Sequence, residues 1–285
     1  MACRICPRNC AGRDNGICGV RDKIIVSRIA PHYWEEPVIS GKNGSGTVFF
    51  AGCSLKCVFC QNYEISHKLQ GAELSAPELE SKCRKLCSSG VHNLSFVTPS
   101  HYVPLIRRML ENNDFCVPIV YNSSGYDSLA SLKSLNGLID IYMPDMKYIS
   151  SSLSEKYSGA PDYFENASIA IEEMYRQSGD AVTDDNGIMQ KGVIIRHLVL
   201  PDNLENTYDV LDWFSDFSKD KKIYFSLMSQ FTPHGDLSSF PELQRRITAE
   251  EYEKAVSYMQ LLGIDGFTQE IGSACEKYIP DFSEL

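Results

Sequence analysis

Residues 53–60 of the chain read Cys53-Ser54-Leu55-Lys56-Cys57-Val58-Phe59-Cys60. The three cysteines are separated by three residues and then by two, a spacing that suits one iron–sulfur cluster bound through three of its irons. Iron in such clusters prefers soft thiolate ligands, and a cluster that only stores an electron normally takes four of them. A site with three thiolates therefore leaves one iron available for chemistry.

The composition is typical of a large globular protein in a reducing compartment. Of 285 residues, 43% are hydrophobic, and a chain of this length buries roughly three quarters of its unfolded surface. No apolar stretch of about 18 residues or more appears, and the first residues are polar or cysteine where a signal peptide would be apolar. Eleven cysteines in such a chain favour metal binding over disulfides. We therefore expect a soluble cytoplasmic protein that does not bind membranes.

The net charge argues against nucleic acid as a partner. The formal charge is −10 at pH 7, whereas binding to a phosphate backbone draws its affinity from clustered Lys and Arg. A local basic pocket remains compatible with this total.

After a cysteine-rich head, short apolar runs rich in β-branched and aromatic residues alternate with helical patterns. Six runs are predicted strands: 46–52, 93–98, 117–121, 138–142, 192–200 and 222–228. Capping boxes, with Glu three residues after the cap, mark helix starts at Ser75 and Thr248. This alternation predicts βαβ units and a parallel sheet. The predicted fold class is α/β, an open partial (β/α)6 barrel over residues 41–285 that follows a small cysteine-rich metal-binding segment over residues 1–40.

The cysteine loop follows the first predicted strand, so its thiolates would lie at the barrel face where loops assemble the active site. An aromatic residue, Phe59, precedes the third cysteine. This combination resembles the radical S-adenosylmethionine (SAM) superfamily, whose signature is C-x3-C-x-aromatic-C. A structural zinc site at the same cysteines is the alternative, although zinc usually takes four ligands from paired knuckles.

The resemblance implies both cofactors and chemistry. In that superfamily a [4Fe-4S] cluster binds the amino and carboxylate groups of SAM at its open iron, and an electron from the reduced cluster splits SAM into methionine and a 5′-deoxyadenosyl radical. That radical removes a hydrogen atom from the substrate, while the protein orients the cofactors. The resemblance also implies an electron donor such as a flavodoxin or ferredoxin.

Within the superfamily the chain most resembles the pyruvate formate-lyase activating enzymes. The likeness rests on the segments Cys6-Pro7-Arg8-Asn9-Cys10, Ile39 to Cys53, Cys53 to His67, Tyr142 to Lys147 and Arg196 to Pro201. By that likeness Asp145, Lys147 and His197 help to seat SAM near Phe59. It also places Asn122 and Asp145 around a monovalent cation near the SAM carboxylate.

These side chains suit SAM on chemical grounds as well. A sulfonium that carries a carboxylate and an ammonium needs both acceptors and donors around it. The alternative is that Asp145 and Lys147 are solvated loop charges and that His197 is a hydrogen-bonded core histidine.

One segment departs from the superfamily pattern. Most members have a Gly-Gly-Glu type segment after the second strand, which accepts hydrogen bonds from the SAM amino group. Here the sequence is Val97-Thr98-Pro99-Ser100-His101, without a carboxylate. The hydroxyls of Thr98 or Ser100, or backbone carbonyls, could accept these bonds instead, and His101 could face the substrate.

The head contains four further cysteines at a ligand-like spacing, Cys3, Cys6, Cys10 and Cys18. Four thiolates can close a coordination sphere, which suits either structural zinc or a second, electron-relaying cluster. The spacing differs from that of a bacterial ferredoxin run, and this difference favours zinc. The remaining cysteines, Cys83, Cys87, Cys116 and Cys275, are interpreted as core-facing residues.

The leading hypothesis is a radical SAM oxidoreductase that generates a 5′-deoxyadenosyl radical at the Cys53/Cys57/Cys60 cluster. One interpretation of its target is a glycine in a glycyl radical enzyme, as for the activating enzymes. A second is direct modification of a small molecule or peptide. A third, of another class, is a non-catalytic metal-binding adaptor, which would bind zinc and would not turn over SAM.

Overall fold

A computed structural model describes residues 3–10, 16–20, 22–270 and 282 of the chain. Ten strands in these residues form one sheet. They are β1 (Ile25–His32), β2 (Ser45–Phe50), β3 (Ala72–Glu73), β4 (Leu94–Val97), β5 (Ile119–Ser123), β6 (Ile141–Pro144), β7 (Val182–Thr183), β8 (Met189–Leu198), β9 (Tyr224–Met228) and β10 (Gly266–Thr268).

Helices connect the strands and cover the sheet. The α-helices in the described residues are α1 (Pro37–Ser40), α2 (Tyr63–Ser66), α3 (Ala76–Cys87), α4 (Val103–Glu111), α5 (Leu129–Ser134), α6 (Ser151–Ser158), α7 (Tyr163–Ser178), α8 (Leu204–Phe217) and α9 (Ala249–Leu261), with short 3₁₀ turns at Ser100–Tyr102 and Pro241–Gln244. None of the helices in this part of the chain is both long and apolar enough to cross a bilayer.

The sheet is largely parallel and open. Its order is β10-β9-β8-β6-β5-β4-β2-β1-β3, with β7 paired to β8. The strands from β10 to β2 in that order are parallel neighbours, whereas β1 pairs antiparallel with β2 and β3. Because β10 and β3 lie at opposite ends of this order, the described strands form a partial barrel, as the sequence predicts.

Each of the six predicted strands corresponds to a parallel strand, namely β2, β4, β5, β6, β8 and β9. The sequence did not predict the other four. Three of them, β3, β7 and β10, have only two or three residues, too few for a two-residue period to be recognised. The fourth, β1, lies within the head segment, residues 1–40, and pairs with β2, so the head contributes a strand to the barrel sheet. The domain division at residue 40 stays a prediction.

Both predicted capping boxes form. The hydroxyl of Ser75 accepts from Glu78 N and the Glu78 carboxylate accepts from Ser75 N at 2.8 Å, which starts α3. Thr248 and Glu251 make the same reciprocal pair at the start of α9. Each box satisfies two backbone donors that a helix start otherwise leaves unpaired.

The cysteines outside the two ligand sets face the protein interior to different degrees. Cys83 is buried and Cys87 is half-buried on α3, but Cys116 is exposed, so its prediction as a core residue is wrong. Cys116 follows α4 in a loop with a left-handed backbone (φ 56°), and a loop residue has no sheet or helix face that would turn it inward. Cys275 lies outside the described residues.

The approach to the cysteine loop is sterically tight at Gly52. Its φ is +81°, and a Cβ at this position would lie 2.5 Å from the carbonyl oxygen of Cys18 in the head. A backbone oxygen cannot move away as a flexible side chain could. Gly52 therefore lets the head pack directly against the residue that precedes Cys53.

We expect Gly52→Ala to destabilise the protein more than Gly90→Ala does. Gly90 has a similar φ of +88°, but a Cβ there meets nothing within 4 Å, so its substitution reports the left-handed backbone strain alone, about 1–2 kcal/mol. Gly52→Ala adds a steric overlap with Cys18 and should cost about 1–3 kcal/mol more. Urea unfolding of both variants measures the difference, and equal costs would show that the head does not press against Gly52.

Candidate active site

The parallel strands end at one cleft of about 1110 Å³, counted to its open mouth. Parallel strands place their carboxyl ends at the same edge, where loops assemble a site. The cleft is lined by Trp34 and Glu35 before α1, Cys53, Cys57, Phe59 and Cys60 after β2, Thr98 after β4, Asn122 on β5, Asp145 and Lys147 after β6, Arg196 and Leu198 on β8, and Met228 and Gln230 at the end of β9. The structure thus brings together the three loop cysteines, Phe59, Asn122, Asp145 and Lys147.

The three loop cysteines are largely buried and their sulfurs accept hydrogen bonds. Cys53 and Cys57 are buried and Cys60 is half-buried. The amides of Leu55 and Lys56 donate to Cys53 Sγ at 3.3 and 3.5 Å. The hydroxyl of Ser66 donates to Cys60 Sγ at 3.3 Å. Such donors stabilise negative charge on sulfur.

The donor set, three soft thiols on one loop, fits an iron–sulfur cluster. Burial raises the pKa of Cys53, and it raises the pKa of Cys60 to about 12, so a metal that binds these sulfurs has to displace their protons. In the described residues no three His, Cys, Asp or Glu side chains converge closely enough to hold one metal ion. Thiolates that each bind a different iron of a cluster do not need to converge on one point. The metal at residues 53–60, a cluster or the zinc alternative, stays a prediction.

Phe59 anchors the cysteine loop to the aromatic core behind it. Its ring makes edge contacts with Tyr148, Tyr157 and Phe231, with centroids 6.2, 6.0 and 6.4 Å away. It is 3% exposed and lines the inner wall of the cleft. An aromatic residue at this position excludes water from the cysteines on one side.

A buried ionic network lies across the cleft from the cysteines. Arg196 donates to Glu35 at 3.0 Å, to Asp145 at 3.2 Å and to Asn122 Oδ1 at 2.6 Å. The second oxygen of Asp145 accepts from Lys147 Nζ at 2.6 Å. All four charged side chains are at most 15% exposed. These hydrogen bonds join two carboxylates and two cations, and a third buried carboxylate, that of Glu36, also acts on the charge of Arg196.

The network determines the charge states of its members. Burial alone would raise the pKa of Asp145, but Lys147 and Arg196 outweigh it and hold that pKa below its ordinary value. Burial opposes the charge of Lys147, but Asp145, together with Cys57 and Cys60, outweighs it and raises the pKa of the amine. For Glu35, burial dominates and raises the pKa, with Arg196 opposing. Asp145 and Lys147 are thus ionised at neutral pH.

The monovalent cation that the family resemblance implies does not fit this site. Hard cations need several free oxygen ligands. Asn122 Oδ1 and one oxygen of Asp145 already accept from Arg196, and the other oxygen of Asp145 accepts from Lys147. The guanidinium occupies the position between the two residues predicted to surround the ion.

His197 lies beside the network but does not line the cleft. Its Nδ1 donates to the carbonyl of Met146 at 2.7 Å, so Nε2 accepts from the hydroxyl of Thr207 at 3.0 Å. Burial lowers the pKa of His197 to about 4, which keeps the ring neutral. Side chains alternate along a strand, so Arg196 and Leu198 face the cleft and His197 faces away. The structure does not support direct contact between His197 and SAM; the ring instead fixes the peptide between Asp145 and Lys147.

The segment that replaces Gly-Gly-Glu places one hydroxyl at the cleft. Thr98 lines the cleft with a left-handed backbone, φ 59°. Ser100 is buried and hydrogen-bonds to Asp127 beneath the sheet edge. His101 is also buried and bonds to the carbonyl of Ala51 at 3.0 Å. Thr98 is therefore the candidate acceptor in this segment, and His101 does not face the cleft.

Two members of the network, Glu35 and Arg196, were not predicted as site residues. Arg196 lies inside the segment Arg196 to Pro201 that the resemblance singled out, and strand alternation would have shown that it and His197 face opposite ways. Glu35 lies far away in sequence, in the turn before α1, and no local pattern connects it to β8.

A chain of glutamine side chains joins the cysteine loop to the far strands. Gln61, which follows Cys60, donates to the carbonyl of Gln230 and accepts from its side chain at 3.3 Å. Gln269 after β10 donates to Gln230 Oε1 at 3.1 Å. Since β2 and β9 are distant in the sheet order, these contacts span the open side of the barrel beside the cleft.

The structure gathers the head cysteines without closing a coordination sphere. Cys6 is buried, Cys10 and Cys18 are half-buried and Cys3 is exposed. Burial raises the pKa of Cys6 to about 12, and the neighbouring Cys10, Cys18 and Cys3 add to the shift. The described residues hold no single-ion geometry here either. The metal at the head, zinc or a second cluster, stays a prediction.

Comparisons with known proteins identify the fold. No protein-family model matches the chain. It is 27% identical over 274 residues, 92% of this chain and 75% of the relative, to Uncharacterized protein MJ0674 of Methanocaldococcus jannaschii. A point mutant of spore photoproduct lyase has a similar structure, with a TM-score of 0.52 and 8% identity over 77% of this chain and 74% of the lyase chain.

A second structural relative is SuiB of Streptococcus suis. Bound to SAM, SuiB gives a TM-score of 0.51 and 14% identity over 76% of this chain and 48% of SuiB. Bound to precursor peptide SuiA, it gives a TM-score of 0.50 and 16% identity over 82% of this chain and 50% of SuiB. The chain thus spans about half the length of SuiB. At 8–16% identity these likenesses show that the chain shares the α/β fold of SuiB and of the lyase, as the sequence predicts.

We expect Arg196 and Glu35 to be strongly coupled in stability. Arg196→Met leaves buried carboxylates without their counter-charge and should cost about 3–5 kcal/mol. Adding Glu35→Gln removes one of those charges, so the double variant should be more stable than the sum of the single changes predicts, by about 1–3 kcal/mol.

Urea unfolding of the four proteins measures this coupling. The exposed pair of Arg107 and Glu111, 2.8 Å apart, is the matched control, and the same substitutions there should couple by less than about 0.5 kcal/mol. Additive effects at Arg196 and Glu35 would show that the buried network does not form.

Proposed function

We propose that the chain is a radical SAM enzyme, with its [4Fe-4S] cluster held by Cys53, Cys57 and Cys60. The observation that supports this most is the position of the three buried thiols, which follow the first parallel strand and share one cleft with the Asp145–Lys147–Arg196 network. A three-thiolate site next to mixed donors and acceptors suits a zwitterionic sulfonium cofactor. The fold of the superfamily adds to this argument.

When bound, the cluster supplies the electron that cleaves SAM into methionine and a 5′-deoxyadenosyl radical. The chain's own residues bind and orient the cluster and SAM. The backbone and serine donors stabilise negative charge on the thiolate sulfurs, and Phe59 keeps water from them. Lys147 offers a cation to the SAM carboxylate, Thr98 offers a hydroxyl acceptor to its ammonium, and Arg196 holds Asp145 ionised without a metal cation.

We expect the triple variant Cys53→Ser, Cys57→Ser, Cys60→Ser to lose SAM cleavage completely. After anaerobic reconstitution and reduction, the unmodified chain should form 5′-deoxyadenosine, measured by chromatography, and the variant should not. Iron analysis should show that the variant loses about four irons per chain. Iron that remains in the variant would identify a second cluster at the head, and zinc in its place would identify the structural site.

The matched control is the double variant Cys87→Ser, Cys116→Ser, because these cysteines lie outside the cleft. It should keep both iron and SAM cleavage. SAM cleavage by the triple variant would contradict the proposal, and stoichiometric zinc without SAM cleavage in the unmodified chain would favour the metal-binding adaptor.

The proposed substrate is a peptide segment of another protein, with a glycine of a glycyl radical enzyme as the leading form and a small molecule as the alternative. The barrel is open, and apolar side chains such as Trp34, Leu198 and Met228 line the cleft beside the polar network. SuiB, solved with a precursor peptide, supports a peptide as the occupant of such a fold. The proposed electron donor is a flavodoxin or ferredoxin.

We expect incubation with SAM, a reductant and a candidate protein to produce a glycyl radical detected by EPR or a SAM-dependent mass change in a peptide of that protein. The same reaction with the triple cysteine variant is the control. A mass change confined to metabolites of an extract would contradict a peptide substrate.

A further inference from the structure

The head is fastened to the cysteine loop by one side chain, that of Arg8. It lies between Cys6 and Cys10, in the middle of the head. Its Nε donates to the carbonyl of Ser54 at 2.8 Å, and its Nη2 donates to the carbonyl of Leu55 at 3.2 Å. Ser54 and Leu55 are the two residues that follow Cys53. The guanidinium thus binds the backbone of the segment between the first two cluster cysteines.

The same guanidinium also binds the end of α6. Nη2 donates to the carbonyl of Ser158 at 2.6 Å, and Nη1 donates to the carbonyl of Gly159. Carbonyls at a helix end have no partners within the helix, and a cation there is stabilised by the helix dipole. Arg8 therefore ties the cysteine loop to a rigid element of the barrel.

The position of Arg8 is itself fixed. Its guanidinium lies over the ring of Tyr126, 5.3 Å from the centroid, an arrangement that favours a cation. The head is also anchored where Ser131 on α5 donates to the carbonyl of Ile5 at 2.7 Å, and where Cys18 packs against Gly52. Contacts on both sides of Cys53 therefore come from the head.

The cysteine loop needs such support because its backbone is irregular. Residues 51–62 contain no regular helix or strand, and Lys56 adopts a left-handed backbone, φ 50°. A non-glycine residue pays a strain cost there unless its surroundings hold it. Without Arg8, the carbonyls of Ser54 and Leu55 lose these donors, and the loop keeps its bond to α6 through Val58 N, which donates to the carbonyl of Tyr157 at 2.8 Å.

We propose that Arg8 is a positioning residue for the cluster site, which holds the loop from Cys53 to Cys57 in the geometry that SAM cleavage requires. This inference rests on the proposed function. Arg8 acts through the loop backbone and touches neither cofactor nor substrate, so its removal alters the placement of the cysteines and leaves their number unchanged. A misplacement of the reacting groups by about 1 Å can cost a hundredfold in rate.

The test uses Arg8→Gln and Arg8→Lys in the full chain, with Arg245→Gln as the control. Arg245, which follows the 3₁₀ turn Pro241–Gln244, also bonds to several acceptors, Glu251 on α9 at 2.7 and 2.8 Å among them, and it is not one of the residues that line the cleft. In the protein without a cluster, hydrogen exchange of the amides of residues 53–60 should be faster in Arg8→Gln and unchanged in Arg245→Gln.

After reconstitution, Arg8→Gln should bind iron but cleave SAM about tenfold to a hundredfold more slowly. The change that SAM causes in the EPR spectrum of the reduced cluster should be weaker or altered. Arg8→Lys, which keeps the charge and a donor, should recover part of both properties, whereas Arg245→Gln should resemble the unmodified chain.

Unchanged hydrogen exchange in the loop of Arg8→Gln, together with a normal EPR response, would overturn the proposal. It would also be overturned if the loss of SAM cleavage only followed a lower melting temperature and was as large in Arg8→Lys as in Arg8→Gln. These outcomes are distinct from failure of the proposed function, in which the unmodified chain itself would neither hold a cluster nor cleave SAM. That result would overturn both.

Discussion

Parallel strand pairing is the constraint on which the cleft depends. Six consecutive parallel pairings, from β2 to β10, direct the carboxyl ends of seven strands to one edge of the sheet. The loop of cysteines, the Asp145–Lys147 pair and Gln230 all follow such ends. Residues more than a hundred positions apart in sequence thereby meet without any direct connection between them.

The chemistry at that edge divides into a soft half and a charged half. The three thiols lie on one loop, backed by aromatic rings, and the charged side chains lie after β6, on β8 and in the turn before α1. Arg196 connects the polar side chains of the charged half. Its planar guanidinium donates to Glu35, Asp145 and Asn122 at once, which a lysine could not do. The built-in guanidinium thus gives both hydrogen-bonded carboxylates a counter-charge from the protein itself.

The sequence was sufficient for features whose signal is local. The six strands follow from short β-branched and aromatic runs, the helix starts from capping boxes, and the position of Cys53 to Cys60 at the sheet edge from the strand that precedes them. Features that depend on side-chain direction or distant pairing were not predictable. His197 and Arg196 are neighbours in sequence, but only the strand register shows which one faces the cleft, and Glu35 reaches it through a turn with no recognisable motif. β10 is too short to have a periodic pattern.

The short strands at the two ends of the described sheet have a consequence for behaviour in solution. β3 has two residues and β10 has three, so each presents few backbone groups that another chain could pair with. An open barrel has edges that a closed barrel lacks, and long exposed edges promote aggregation between chains. The β10 edge therefore offers little template for strand addition, whereas β3 pairs only with Ile25 and Val26, so the rest of β1 forms the longer edge of the described sheet.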